Sequence, residues 1–214
     1  ALSGAGGSVW LSGLDSAVFS GSGKVTANGG RGRGRAGGGG RVAVRNFTGD
    51  ISGWDLQAKG GYSDYKDANR HGGAGTVFVQ AKDQHLGDLF INNGGNRSNS
   101  YATLGANIHA EIEVVEKDKV QIVKSGSRGH TFLEPTETFD SLKGFQVRIK
   151  AADGSFKDYT ITANTADTLT LEVGDDDLSQ LFAAGDLVIS LFKFNKIDIQ
   201  NQGFLISDGI IEVT

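Results

Sequence analysis

Residues 62–71 gather the side chains best suited to holding a polar ligand. Tyr62, Asp64, Tyr65, Asp67, Asn69, Arg70 and His71 all fall in this stretch. Aromatic faces suit the C–H surfaces of a sugar ring, and planar carboxylate, amide and guanidinium groups suit its hydroxyls. Long loops on rigid scaffolds are natural places to present such groups. The same composition also fits a polar turn whose tyrosines pack on nearby backbone.

A second polar stretch is cationic. Arg31, Arg33, Arg35 and Arg41 stand among glycines. They read either as a solvated loop or as a site for an anionic polysaccharide or an acidic neighbour. Arginine-glycine segments that bind nucleic acid usually carry aromatic residues and sit in basic proteins. This stretch has no aromatic residue and the chain carries a net charge of −4, so no nucleic-acid partner is expected. Residues 32–37 spell G-x-G-x-x-G, but a dinucleotide fingerprint needs a strand before it and a helix after it. Here Gly38-Gly39-Gly40 and a strand-like run follow.

Metal and catalytic chemistry find little support. Asp175-Asp176-Asp177 offers oxygen ligands for calcium, but the glycine and the distal glutamate of the calcium loop are missing. A polar turn or a helix N-cap suits it better. No cofactor is expected, with calcium the one left open. His71, His85, His109 and His130 lack zinc-ligand spacing. There is no cysteine and no nucleophile elbow. Asp83, His85 and Asp88 read as a polar turn. The expectation is a non-enzymatic chain with no catalytic residues.

The elements that must position these groups repeat. Val9, Val42 and Val77 open similar strand-like runs, 33 and 35 residues apart. The closing pairs Gly29-Gly30, Gly60-Gly61 and Gly94-Gly95 lie 31 and 34 residues apart. Strand alternation puts Val9, Val42 and Val77 on one face with Leu11, Val44 and Val79, and Trp10, Ala43 and Phe78 on the other. Stacking the repeats as parallel coils buries the aliphatic face, with each paired glycine turning a corner at positive φ. Residues 195–201 echo residues 87–93. Trp54 reads as packing. Trp10 and Phe78 form either an exposed platform or a surface for the inserted segment.

Residues 108–194 lack the glycine rhythm. Strand-like runs at 112–123, 145–150, 159–163, 169–173 and 187–192 are separated by turn residues, among them Ser125-Gly126-Ser127. They suggest a small antiparallel barrel or sandwich, with one helical turn at 177–182. The expected organisation is therefore coils over 1–107, an inserted β-domain over 108–194, and a return to coils over 195–214. The expected fold class is all-β: a right-handed parallel β-helix with that insert. No run is long enough to span a bilayer, so membrane insertion is not expected. The absence of cysteine and methionine suits an extracellular or cell-surface setting, and the chain reads as a fragment or a processed product.

The strings GSGKVTANGG, GGGGRVAV, GGAGTVFV and GDLFINNGG resemble the glycine-rich repeats of large bacterial surface and adhesin-like proteins. FDSLKGFQVRI, DYTITANTADTLTL and AAGDLVI resemble small β-modules that interrupt such repeats. The resemblance implies an extracellular structural or adhesive module with no catalytic residues to carry over. Its partners would be a carbohydrate or other cell-surface ligand and neighbouring repeats of the same protein or other copies. Two rival readings are a self-assembling filament subunit and a polysaccharide-active β-helix enzyme. The enzyme predicts an outward column of acids and bases, where the sequence places Trp10, Ala43 and Phe78.

Overall fold

A computed structural model describes residues 3–14, 17–65, 67–105, 108–123 and 142–214. The chain divides into two compact units. One comprises residues 1–103, 193–206 and 213–214, the other residues 104–192 and 207–212. The readings placed on Ser125-Gly126-Ser127 and His130 lie outside the described residues.

The first unit carries β1 (Ser8–Ser12), β2 (Gly23–Thr26), β3 (Arg41–Phe47), β4 (Trp54–Gln57), β5 (Thr76–Ala81), β6 (Asp88–Asn92), β7 (Ala102–Thr103), β14 (Lys196–Gln200) and β15 (Leu205–Ile206). β1, β3 and β5 are parallel neighbours. Val9 pairs with Val42 and Val42 with Val77; Trp10 pairs with Ala43 and Ala43 with Phe78. Val42, Val44 and Val77 are buried in a cluster with Ala27, Phe47 and Ala58. Phe19 stacks between Phe47 and Trp54, with ring centres 5.5 and 5.6 Å away. β2 pairs with β4, and β7 with β15.

The expected parallel β-helix is not what forms. A β-helix requires the closing run of each repeat to continue a second parallel sheet. β6 instead folds back on β5 as an antiparallel neighbour, with Phe78 opposite Leu89. Local hydrogen bonds explain the reversal. The Gln80 amide donates to the carbonyls of Gln84 and His85 at 3.3 and 3.1 Å, and the Ala81 N–H donates to Gln84 Oε1 at 2.9 Å. They close a tight turn where earlier repeats cross to another sheet. β14 then joins β6 in parallel, Ile197 beside Leu89, in the register of the 195–201 echo. The result is a mixed five-stranded sheet, β1-β3-β5-β6-β14.

The glycines also differ from expectation. Gly94 and Gly95 have positive φ, but Gly29, Gly30, Gly60 and Gly61 do not. Segments 4–7, 27–30, 37–40, 58–61 and 72–75 are neither helix nor strand. Segment 37–40 hydrogen-bonds to all four of the others. Gly6 donates to Gly38 O, Gly39 to Gly73 O, Gly40 to Ala27 O, and Gly61 to Gly37 O, at 2.7–2.9 Å. A β-strand has two such neighbours; this segment has four. A Cβ on Gly37 would overlap the Gly4 carbonyl, and one on Gly72 would overlap the Gly37 carbonyl. Glycine is needed here for backbone contact on several sides, and only marginally for turning.

The second unit is a closed barrel. Its strands are β8 (His109–Val115), β9 (Lys119–Ile122), β10 (Gln146–Lys150), β11 (Phe156–Asn164), β12 (Thr168–Glu172) and β13 (Leu187–Phe194), with β16 (Ile210–Val213) beside β13. The order β10-β11-β12-β9-β8-β13 is antiparallel throughout, and β13 returns to β10. Alternating residues such as Val147, Ile149, Ile161, Leu169 and Val188 fill its core. The helix α1 (Leu178–Leu181) is capped by Asp177, and Leu178 plugs the same core.

Candidate functional site

The glycine-packed unit holds both polar stretches of the sequence and brings them together. After the pairs Gly29-Gly30, Gly60-Gly61 and Gly94-Gly95 the chain leaves the packed segments, and the three excursions lie beside one another. The Gly32 N–H donates to Tyr62 O at 3.1 Å, the Ala36 N–H to Arg70 O at 2.8 Å, and the Asn99 N–H to Ala68 O at 3.2 Å. The Ser98 hydroxyl donates to His71 O at 2.9 Å.

The residues of the 62–71 loop split into two roles. His71 is buried, and its Nδ1 accepts the Ser63 N–H at 2.9 Å, so this nitrogen is unprotonated and the proton belongs on Nε2. The Tyr62 ring lies 4.8 Å from the His71 ring. Ser63, fully buried, donates to Gly34 O at 2.7 Å. These three tie the loop to its base. Asp64 accepts from Arg31 at 2.7–2.8 Å and joins the arginine stretch to the tyrosine loop.

The second group faces water. Tyr65 is 66% exposed, and the Arg70 guanidinium lies 4.8 Å from its ring centre. Asp67 Oδ1 accepts the Asn69 N–H at 2.9 Å, and Asp67 Oδ2 stands 3.6 Å from Arg70 Nε. The Asn69 side chain accepts from Asn99. Arg35, Asn69, Arg70 and Tyr101 border a pocket of about 220 Å³. A flat ring, a fork of donors and an amide thus converge on an open cleft, a set that can grip hydroxyls and anions together.

Three of the four arginines lie apart from this cleft, Arg31 being held by Asp64. Arg41 is in β3 and borders a neighbouring pocket of about 260 Å³ with Ser8 and Thr76. Arg33 lines neither pocket. The sequence reading missed Tyr101 and Asn99. The signal was present: a polar excursion follows each Gly-Gly pair, and residues 96–101 follow the third.

The other candidates are engaged elsewhere. Asp176 binds Lys157 Nζ at 2.8 Å and the Tyr159 hydroxyl at 2.9 Å, while Asp177 caps α1. Asp88 accepts from Asn195 at 2.8 Å. Among the described residues, no group of three His, Asp or Glu is placed to hold a metal ion. Compared with known proteins, the chain matches no family model, no curated protein and no solved structure.

Proposed function

We propose that this chain is a non-enzymatic, extracellular binding module of a bacterial surface protein, and that its loop cluster binds carbohydrate. One observation carries the reading. Buried Ser63 and His71 anchor a loop whose Tyr65, Asn69 and Arg70 stay open beside a cleft bordered by a second loop's Arg35. The anchoring lowers the conformational entropy lost on binding. A catalytic role would ask for a perturbed acid or base in the cleft, and its polar lining is arginine, amide, hydroxyl and an imidazole held by backbone. No cofactor enters this reading.

A panel of immobilised glycans tests it, with and without added calcium. The expected result is retention of a subset of glycans, unchanged by calcium and weakened about tenfold by Tyr65→Ala, the loss of one stacking contact. Turnover of any glycan ends the non-enzymatic reading. Retention of none of the glycans ends the carbohydrate reading.

A further inference from the structure

The cleft is one end of a longer track. The two pockets, of about 220 and 260 Å³, share Gly39, Ala74 and Tyr101 in their walls, so they adjoin, and together they make up a groove. Arg35 and Arg70 border one end and Arg41 the other. Its floor is largely glycine backbone, which lets an extended ligand lie close to the chain.

Strand alternation continues the track. Arg41 stands in register with Ser8 and Thr76; two residues on comes the row Trp10, Ala43, Phe78, and two further Arg45. Trp10 is 64% exposed. The Arg45 guanidinium lies 5.4 Å from the Trp10 ring centre and 5.7 Å from that of Phe78. From Arg41 to Arg45 the strand rises about 13 Å. Arginine and aromatic residues therefore alternate along one surface.

The charge of the groove runs against that of the chain. Among the described residues, neither pocket has an Asp or Glu in its wall, although the chain carries −4 overall. Arg35 and Arg41 have no ion-pair partner among the described residues. Arg70 keeps its 3.6 Å approach to Asp67. An arginine fork matches a carboxylate in two hydrogen bonds.

We propose that this groove binds an extended acidic polysaccharide. Uronate carboxylates pair with Arg35, Arg70 and Arg41, and sugar faces lie on Tyr101 and Trp10. The proposal rests on the carbohydrate reading and names its ligand class. A single-stranded nucleic acid fits less well, because it asks for aromatic platforms at successive bases. Tyr101, its ring edge-on to Phe204 at 6.2 Å, is flanked along the groove by the hydroxyls of Thr76 and Ser100 and the Asn69 amide, partners for sugar hydroxyls.

Calorimetric titration of the full chain with hexagalacturonate, its neutral methyl ester and a single-stranded oligonucleotide decides the matter. The expected result is binding of the acid, weakened by salt, with the ester about tenfold or more weaker. Arg41→Ala should weaken the acid about tenfold, and Arg41→Lys should restore part of the loss. Both variants change an exposed side chain, and circular dichroism confirms the fold. Equal binding of acid and ester overturns the proposal while carbohydrate binding stands. Sensitivity to Tyr65→Ala without sensitivity to Arg41→Ala overturns the groove and keeps the loop. Preference for the oligonucleotide replaces the ligand class. Binding of no saccharide removes both readings.

Discussion

The barrel and the glycine-packed unit keep water from their backbone polar groups with opposite materials. The barrel pairs each strand with two neighbours and fills its centre with Ile112, Ile149, Ile161, Leu169 and other aliphatic side chains. Segment 37–40 of the other unit makes its close contacts with the backbone of the four other packed segments. Aliphatic cores tolerate exchange of similar volumes. Backbone packed on backbone has no volume to exchange. The barrel's specificity lies in which side chains are present, and the glycine-packed region's in the absence of Cβ atoms.

The sharpest break of this comparison is a single methyl group. Gly37→Ala places a Cβ on the Gly4 carbonyl, where only backbone movement can make room. The expected cost is about 4 kcal/mol or more, at the far end of the range for point changes. Gly154→Ala in the barrel is the control. Gly154 has φ +91° and open space around it, so the expected cost is only the left-handed strain, about 1–2 kcal/mol. Chemical unfolding of the two variants checks the ratio. A Gly37→Ala protein within 1 kcal/mol of wild type would mean that the packed segments can slide apart.

A side chain can also stand in for backbone, and Asn93 does. It is fully buried. Its Oδ1 accepts the Gly60 N–H at 2.8 Å, and its Nδ2 donates to the carbonyls of Gly72 and Asn96 at 3.2 and 2.6 Å. The amide fills the role of a peptide unit from a further packed segment. Asn93→Ala leaves these buried groups without partners, and the expected loss is about 3 kcal/mol. Hydrogen exchange should then quicken at the Gly60 amide and stay unchanged in β10 and β11. Uniform quickening across both units would erase the distinction between them.

How far the sequence foretold this architecture depends on which interaction positions each element. The alignment of Val9, Val42 and Val77 was legible because strand alternation and a spacing near 34 residues both act along the chain. The register of residues 195–201 beside 87–93 was legible for the same reason. The barrel strands showed as alternating aliphatic runs, and Asp177 showed as a cap. The reversal of β6 was not legible, because it depends on two glutamine side chains closing one turn, and their composition resembles any polar connection. The role of Gly29-Gly30 and Gly60-Gly61 was misjudged because glycine serves turning and close approach equally well, and only neighbours distant in sequence distinguish the two. In the site, the residue types of the 62–71 loop were visible, but not that His71 turns inward while Tyr65 turns outward. Tyr101 was missed because strand-centred alignment ended each repeat at its glycine pair.

The last contrast is electrostatic. Tyr159 of the barrel is buried, and burial together with its hydrogen bond to Asp176 raises its phenol well above the usual value of 10.0. Lys157, and then the Tyr159 hydroxyl, hold the Asp176 carboxyl below the usual 3.8. The signs are opposite. The raised phenol stabilises the fold fully below pH 10, and that contribution is lost as pH rises beyond it. The depressed carboxylate stabilises the fold above pH 3.8, and that contribution is lost as pH falls through its folded-state value. Tyr159→Phe should cost about 1 kcal/mol at neutral pH and flatten the alkaline limb of stability against pH. Lys157→Met should flatten the acid limb and leave the alkaline one nearly intact. The packed segments 4–7, 27–30, 37–40, 58–61 and 72–75 contain one ionisable side chain, Lys59, so hydrogen exchange there, corrected for intrinsic rates, should stay level across the same range. An alkaline limb that survives Tyr159→Phe would move the titration to another group and remove this contrast between the two units.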